Sequence, residues 1–205
     1  AGGALASYST ATATADTQFI HNAYRHSGGN WKYRYADTAL RLKMNSPANT
    51  FIFENAASGS ADADITWSEK LRITSSGHMG LGVTPSAWPT NADSIALQIG
   101  TGFVAYGRGS GDEDRGGIAV NYYNDGSNEY YIGNGNANRI YMNDGNIDFQ
   151  YASTNSSNAG AALTWVDTLR IDTGGRLLAG TTSYKTNLNS SADAGGQLAQ
   201  FVGKA

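Results

Sequence analysis

From Gln18 onward the chain sets apolar against polar residues in short runs, broken by glycine, asparagine, aspartate and serine. No stretch carries the spacing of a long amphipathic helix, so the elements it predicts are strands. Gln18 to Arg25 is the first clear one. Gly28-Gly29-Asn30 supplies residues that tolerate left-handed backbone, and Trp31-Lys32-Tyr33-Arg34-Tyr35, alternating aromatic with basic, returns as the second arm of a hairpin. Ala39 to Met44, a turn at Asn45-Ser46-Pro47 and Thr50-Phe51-Ile52-Phe53 extend the sheet. Asn55 to Ala63 reads as a loop and Ile65 to Ile73 as the next strand, and Ser75-Ser76-Gly77 turns the chain into Met79 to Val83. Strands recur at Gly117 to Tyr123, Tyr130-Tyr131-Ile132, Arg139 to Met142, Ile147 to Tyr151 and Leu177 to Gly180. Asn124-Asp125-Gly126, Asn143-Asp144-Gly145-Asn146 and Thr173-Gly174-Gly175 are the turn signals between them. The segments Thr84 to Asp93 and Thr182 to Ala194 read as connectors. The expected fold is all-β, built from antiparallel hairpins.

The pattern occurs twice. Thr66-Trp67-Ser68-Glu69-Lys70-Leu71-Arg72-Ile73 returns as Thr164-Trp165-Val166-Asp167-Thr168-Leu169-Arg170-Ile171, with Trp67 and Trp165 98 positions apart. Slid by that amount without a gap, Ile20 falls on Ile118, Tyr24 on Tyr122, Tyr33 on Tyr131, Arg41 on Arg139, Phe51 on Phe149, Gly77 on Gly175 and Gly82 on Gly180. Roughly a third of the positions from Ile20 to Thr84 match, which marks an internal duplication. The expected organisation is a module over 1–95, a second over 96–193, and at 194–205 the start of a third or a tail. Leu198 to Gly203 resembles Ala96 to Gly100, which points to a piece of something longer.

Within Ile65 to Ile73, period two puts Ile65, Trp67, Leu71 and Ile73 on one face together with Glu69, and the second module repeats the exception at Asp167. Two readings stand. A β-bulge near Ser68 to Lys70 turns the acid to the surface or against Arg72 or Arg170, or an inward carboxylate meets a cation across a subunit seam. The first is preferred.

Composition narrows the classes. The 205 residues include 26 glycines and only 3 prolines, and a net charge of −3 with 15% charged residues gives no polybasic footprint, so a nucleic-acid partner is not expected. Absence of cysteine excludes disulfides, thiolate zinc sites and a cysteine nucleophile. No run of about 18 apolar residues predicts membrane insertion, and the start of the chain does not read as a signal peptide. Alanine inflates the 40% hydrophobic content. Modules so poor in large aliphatics are marginal alone, so self-association is expected to complete their burial.

The phrases Leu71-Arg72-Ile73-Thr74-Ser75-Ser76-Gly77-His78-Met79-Gly80-Leu81-Gly82-Val83-Thr84 and Leu169-Arg170-Ile171-Asp172-Thr173-Gly174-Gly175-Arg176-Leu177-Leu178-Ala179-Gly180-Thr181-Thr182 resemble a repeat of bacteriophage tail-fibre shafts and necks, of the type often found ahead of an endosialidase-type intramolecular chaperone domain. The aromatic hairpin and Ile65 to Glu69 are similar to repeats of marine phage fibre proteins. The resemblance covers most of both modules and implies two tandem antiparallel β-modules in an elongated, homotrimeric fibre segment. It further implies a place on the virion, extracellular when functional, with other tail proteins and a bacterial surface glycan or lipopolysaccharide as partners in host attachment. It carries over no catalytic residue, cofactor or metal. Leu178 departs from the phrase where a glycine is expected.

His21, His26 and His78 all lie in the first module and are not repeated, so they read as ordinary histidines and not as catalytic bases. Carboxylate candidates for a polysaccharide depolymerase exist at Asp62 with Asp64, at Asp112-Glu113-Asp114 and at Asp144 with Asp148, but in turn-rich segments. Asp112-Glu113-Asp114 lacks the spacing of a calcium loop. Gly107-Arg108-Gly109 and Gly133-Asn134-Gly135 precede no helix that would hold a phosphate. Asn155-Ser156-Ser157 and Asn189-Ser190-Ser191 match a glycosylation sequon. For glycan contact the candidates are Trp31, Lys32, Arg34 and Tyr35, aromatic faces for stacking and cations for an acidic polysaccharide; a carbohydrate-binding module is therefore the alternative function. Tyr33 keeps its type in the second module and reads as structural, whereas Trp31 becomes Glu129.

Overall fold

The computed structural model describes residues 4–10, 14–45, 48–90, 94–108, 111, 113–180 and 199–201. Asp112, Gly109, Ser46-Pro47, the 182–194 connector and the Asn189 sequon lie outside them. Among the described residues every regular element is a strand, so the chain is all-β with mostly antiparallel pairing. It divides into two compact units, Ala1–Pro85 with Leu97–Gly100, and Ser86–Ala96 with Thr101–Ala205.

The first unit holds β1 (Ala4–Thr10), β2 (Thr14–His21), β3 (Ala23–Arg25), β4 (Trp31–Tyr33), β5 (Asp37–Asn45), β6 (Thr50–Gly59), β7 (Ser68–Ile73), β8 (Met79–Leu81) and the end of β9 (Ile95–Ile99). Its sheet runs β1-β2-β5-β6-β7-β8-β9, antiparallel except where Leu97–Ile99 lies parallel to β8. The β3–β4 hairpin lies over one face. Ala23 and Tyr33 from it close a small core with Ile20, Ala39 and Ala56 of the sheet, flanked by Trp31, Ala63, Ile65 and Trp67. Alanines dominate because the hairpin approaches the sheet closely, and Tyr33 spans the gap to donate its hydroxyl to Ala57 O at 2.5 Å.

The second unit holds β10 (Phe103–Gly107), β11 (Gly116–Val120), β12 (Tyr123–Asn124), β13 (Glu129–Tyr130), β14 (Gly135–Asn143), β15 (Asn146–Asn155), β16 (Val166–Ile171), β17 (Leu177–Ala179) and β18 (Ala199–Phe201). The sheet order is β10-β11-β14-β15-β16-β17-β18, with β12–β13 as the covering hairpin and β18 parallel to β17. Its core is larger: Val104, Ala119, Ala137, Ala152 and Leu163 join Tyr122, Tyr131, Ala96 and Trp88. Trp88, in a segment whose Ser, Thr and Asn content reads as a connector, is 4% exposed and packs edge-on to Tyr122, with ring centroids 5.9 Å apart.

Several boundaries also move. The strand expected over Gln18 to Arg25 breaks at Asn22, whose φ of 55° is left-handed. Strand β6 continues to Gly59 through the segment read as a loop. Ile65 and Trp67 belong to the covering layer, because Ile65 N–H donates to Trp31 O, as Leu163 N–H does to Glu129 O.

The constant offset of 98 holds for β4, β5, β7 and β8 against β13, β14, β16 and β17 and for the covering strip from Ile65 to Trp67, and it shifts in the strands between. Asn22 and Asn121 (φ 56°) play one role, each spreading its side chain over the 35–38 or 133–136 backbone, so the offset there is 99. Buried Ile20 therefore matches buried Ala119, not Ile118, which is 44% exposed; Tyr24 matches Tyr123, and Ala23 matches Tyr122. The β5–β6 turn spans four residues between Asn45 and Thr50, whereas β14–β15 needs only Asp144-Gly145. Two residues are lost, so Phe149 takes the place of Phe53, not of Phe51.

The acid in the apolar strand has its explanation in a β-bulge. Register slips between Phe53 and Glu54 opposite Leu71 and Glu69, leaving Lys70 extra, and Thr168 is the extra residue in the second unit. Each bulge residue's carbonyl accepts the N–H of a left-handed glycine, Gly82 for Lys70 and Gly180 for Thr168. Those two glycines of the repeated phrase are thus fixed by backbone geometry. Glu69 turns onto Arg72 at 2.5 to 2.8 Å. Asp167 instead accepts from Gln150 at 2.5 Å, because Arg170 is taken by Asp148, which stands where the first unit has Ile52.

Candidate functional site

Alternation along each strand sorts residues onto two faces, and here the sorting is inverted. The face under the hairpin carries the charges. In the first unit these are Arg41 with Glu54, Arg72 with Glu69, and Lys43 with Asp16 at 3.3 Å; in the second they are Arg139 with Glu129 at 2.7 Å and Arg170 with Asp148. The opposite face carries the large apolar side chains. Phe19, Leu42, Phe53, Leu71, Leu81 and Ile99 stand abreast across six strands of the first unit, and Met44, Phe51, Ile73, Met79 and Leu97 form the next row. Phe19 is 50% exposed and Leu40, on the same face, 52%. The second unit repeats the arrangement with Ile118, Ile140, Phe149, Leu169 and Ala179, then Met142, Ile147, Ile171 and Leu177. Shallow apolar grooves run along both faces, one past Phe19, Leu40, Leu42 and Phe53, the other past Phe103, Ile118, Val120 and Tyr151. Contiguous apolar surface of this extent in a water-exposed position is the mark of an interaction face.

Beneath the hairpins an arginine is clamped against a tryptophan in both units. Arg41 lies over the Trp67 ring at 4.4 Å, and Arg139 over Trp165 at 4.3 Å. In the second unit Tyr141, also 4.3 Å from the Arg139 guanidinium, closes the other side, and Tyr122 adds a third ring at 5.7 Å. This clamp gives the repeated Arg and Trp a structural role. Burial pushes the Tyr106 phenol up to about 12 and raises that of Tyr122 as well. Both stay neutral in the fold while an unfolded phenol ionises near 10, so the unfolded state loses its protons first as pH rises. The share of the second unit's stability that these two phenols supply is therefore level below about pH 10 and falls as the pH rises above it. Denaturant titrations across that range should show the fall, and Tyr106→Phe should make it shallower.

Of the sequence candidates for glycan contact, Trp31 and Lys32 lie on β4, and Arg34 and Tyr35 fall beyond its end. The strand ends at Tyr33 and the backbone bends over 34–36. Trp31 packs partly into the first core with Arg25 at 6.0 Å from its ring. Lys32 is tied to Asp62 O at 2.8 Å and to Asp64 at 2.9 Å, and that ion pair, with an Asn30 amide, holds the Asp64 carboxyl below the usual carboxylate range. Arg34 and Tyr35 are exposed. Asp62 accepts from the Tyr24 hydroxyl at 2.6 Å, and His26 Nδ1 accepts from Gly28 N–H; His78 is buried and His21 exposed. Asp148 is engaged by Arg170, so neither proposed carboxylate pair stands as two unengaged acids facing one space. Among the described residues no cluster of three His, Asp or Glu side chains is placed to hold a metal ion. No family model matches the chain, and no curated protein matches it.

Proposed function

We propose that this chain is a structural and host-contacting segment of a bacteriophage tail fibre, a homotrimer in which the apolar sheet faces of three copies cover one another. The observation that carries the reading is the inverted face sorting: phenylalanine, leucine and isoleucine abreast on the uncovered side, arginine and glutamate beneath the hairpin. A sheet with that outer face gains about 1.5–3 kcal/mol for each large side chain it fully covers, and a second copy of the same chain supplies a matching uncharged surface. Each unit presents such a face at equivalent positions. The repeated phrase around Arg72 and Arg170 supports the fibre assignment, and with it a virion location, other tail proteins as neighbours and a bacterial surface glycan as receptor. The reading carries no catalysis.

Sedimentation equilibrium tests it. The native sequence should sediment as a trimer, and the double substitution Phe53→Asp with Phe149→Asp should give monomers that keep their β-sheet circular dichroism. A native chain that stays monomeric at high concentration, or a double variant that stays assembled, defeats the proposal.

A further inference from the structure

The side of the covering hairpin that looks away from the sheet differs between the two units in a concerted way. In the first unit Tyr24, Lys32 and Asp64 stand abreast across β3, β4 and the covering strip. Polar groups there are matched within the row. The Tyr24 hydroxyl donates to Asp62 at 2.6 Å, Lys32 pairs with Asp64 at 2.9 Å, and the Asn30 amide donates to Asp64 at 3.2 Å. The second unit keeps the backbone pairing and changes the occupants: Tyr123 stands for Tyr24, Tyr130 for Lys32, Ala162 for Asp64 and Gly160 for Asp62. Both carboxylates are gone, and the cation is replaced by a ring. Tyr130 is stacked on Tyr123 with ring centroids 5.3 Å apart, and Tyr123 meets Trp88 edge-on at 6.5 Å. On its other flank the cross-strand neighbour of Tyr130 is Ala162, exposed and too small to cover a phenol. The Tyr123 hydroxyl reaches Gly160, where a Cβ would lie 3.9 Å away, and so lacks the carboxylate that takes its counterpart Tyr24. At the turn the Tyr130 hydroxyl meets Asp125, whose carboxylate also accepts from the Asn128 and Ser127 N–H groups at 2.8 and 2.9 Å.

We propose that the ledge formed by Tyr130, Ala162 and Tyr123 binds a neutral pyranose, one hexose unit of a surface glycan, stacked by its C–H side on the Tyr130 ring. A phenol face with an open flank suits the axial C–H groups of a hexose, whose hydroxyls then need polar partners at the rim. The Tyr123 hydroxyl, Asp125 and the exposed Asn128, at the place of Asn30, stand around the ledge to supply them. A carboxylate at the rim accepts from sugar hydroxyls and repels an acidic sugar, which makes the ligand a neutral one. The corresponding seat in the first unit is filled by its own ion pair. This deepens the glycan-contacting part of the proposed function and rests on it for the ligand class alone. The ledge lies on the hairpin, away from the apolar sheet face, so sedimentation reads the assembly and sugar titration reads the ledge independently.

Nuclear magnetic resonance titration of the whole chain with methyl β-glucoside, whose hydroxyls are all equatorial, tests it beside methyl β-glucuronide and N-acetyltyrosinamide. Saturable shifts centred on Tyr123, Tyr130 and Ala162 are expected with the glucoside, with the glucuronide about tenfold weaker and the aromatic amide giving no saturation there. Tyr130→Ala should weaken the glucoside about tenfold. Ala162→Asp places the first unit's carboxylate beside an intact Tyr130; glucoside binding should be lost while the melting temperature holds, a split that a purely structural tyrosine pair would not give. No saturable response, shifts elsewhere, equal affinity for the two glycosides, saturation of the ledge by the aromatic amide, or full affinity in either variant would each overturn the assignment.

Discussion

Arg139→Ala should destabilise the second unit by about 3 kcal/mol. Its guanidinium side chain is 8% exposed and holds four groups at once: the Trp165 and Tyr141 rings at 4.3 Å, Glu129 at 2.7 Å and Gln150 at 2.5 Å. Removing it takes away the stacking and strands Glu129, half covered, with only the Tyr122 hydroxyl for company. The partial exposure of Glu129 keeps the figure at the lower end of the range of about 3–5 kcal/mol for breaking a buried ion pair. Arg139→Lys keeps the charge but not the planar fork that fills the space between two rings, so about half the loss should remain. Guanidinium denaturation reads both. A cost under about 1 kcal/mol for Arg139→Ala would show that the clamp is ornamental to stability.

Asn121→Ala should cost about 2–4 kcal/mol, from two separable sources. At φ 56° an alanine pays for left-handed backbone that asparagine tolerates. The side chain also accepts from Gly133 N–H at 2.7 Å and donates to Gly135 O and Asn136 O at 3.3 and 3.2 Å, fixing the return from the hairpin into β14. Asn121→Gly relieves the first source and leaves the second, so it should recover about 1 kcal/mol. Asn22, bonded to Tyr35 N–H and to Thr38 O at 2.9 Å, should behave alike in the first unit. Thermal melts of the four variants give the comparison; equal losses for Ala and Gly would mean that the backbone term is absent.

The all-β class, the hairpin turns and the recurrence of Arg41 and Trp67 at Arg139 and Trp165 were legible in the sequence, because each leaves a local mark: turn residues, period two, an eight-residue echo. The bulge was legible too, through an acid out of phase with its neighbours. What misled was rigidity of offset. Ile20 and Ile118 share a letter and not a place; the extra residue before Asn121 and the shorter turn at Asp144-Gly145 move whole strands while the count of 98 is restored downstream. Only pairing partners show this, and they are not written in the chain. Trp88 was invisible for another reason, since a lone aromatic among turn formers has no periodicity to declare its burial. The ledge at Tyr130 depends on its pairing with both Tyr123 and Ala162, the latter from beyond β15, so no motif announces it.

The strip Leu97–Ile99, which follows the connector, is what pairs with β8, so the outermost rung of the first sheet is encoded after the point where the sequence echo would place a boundary. A fragment ended at residue 95 would leave the N–H and C=O groups of Met79–Leu81 open along a raw border, inviting any extended peptide to dock there. Excision of the leading half intact therefore calls for a stop codon beyond Gly100, and the same reasoning makes Ala199–Phe201 part of its successor.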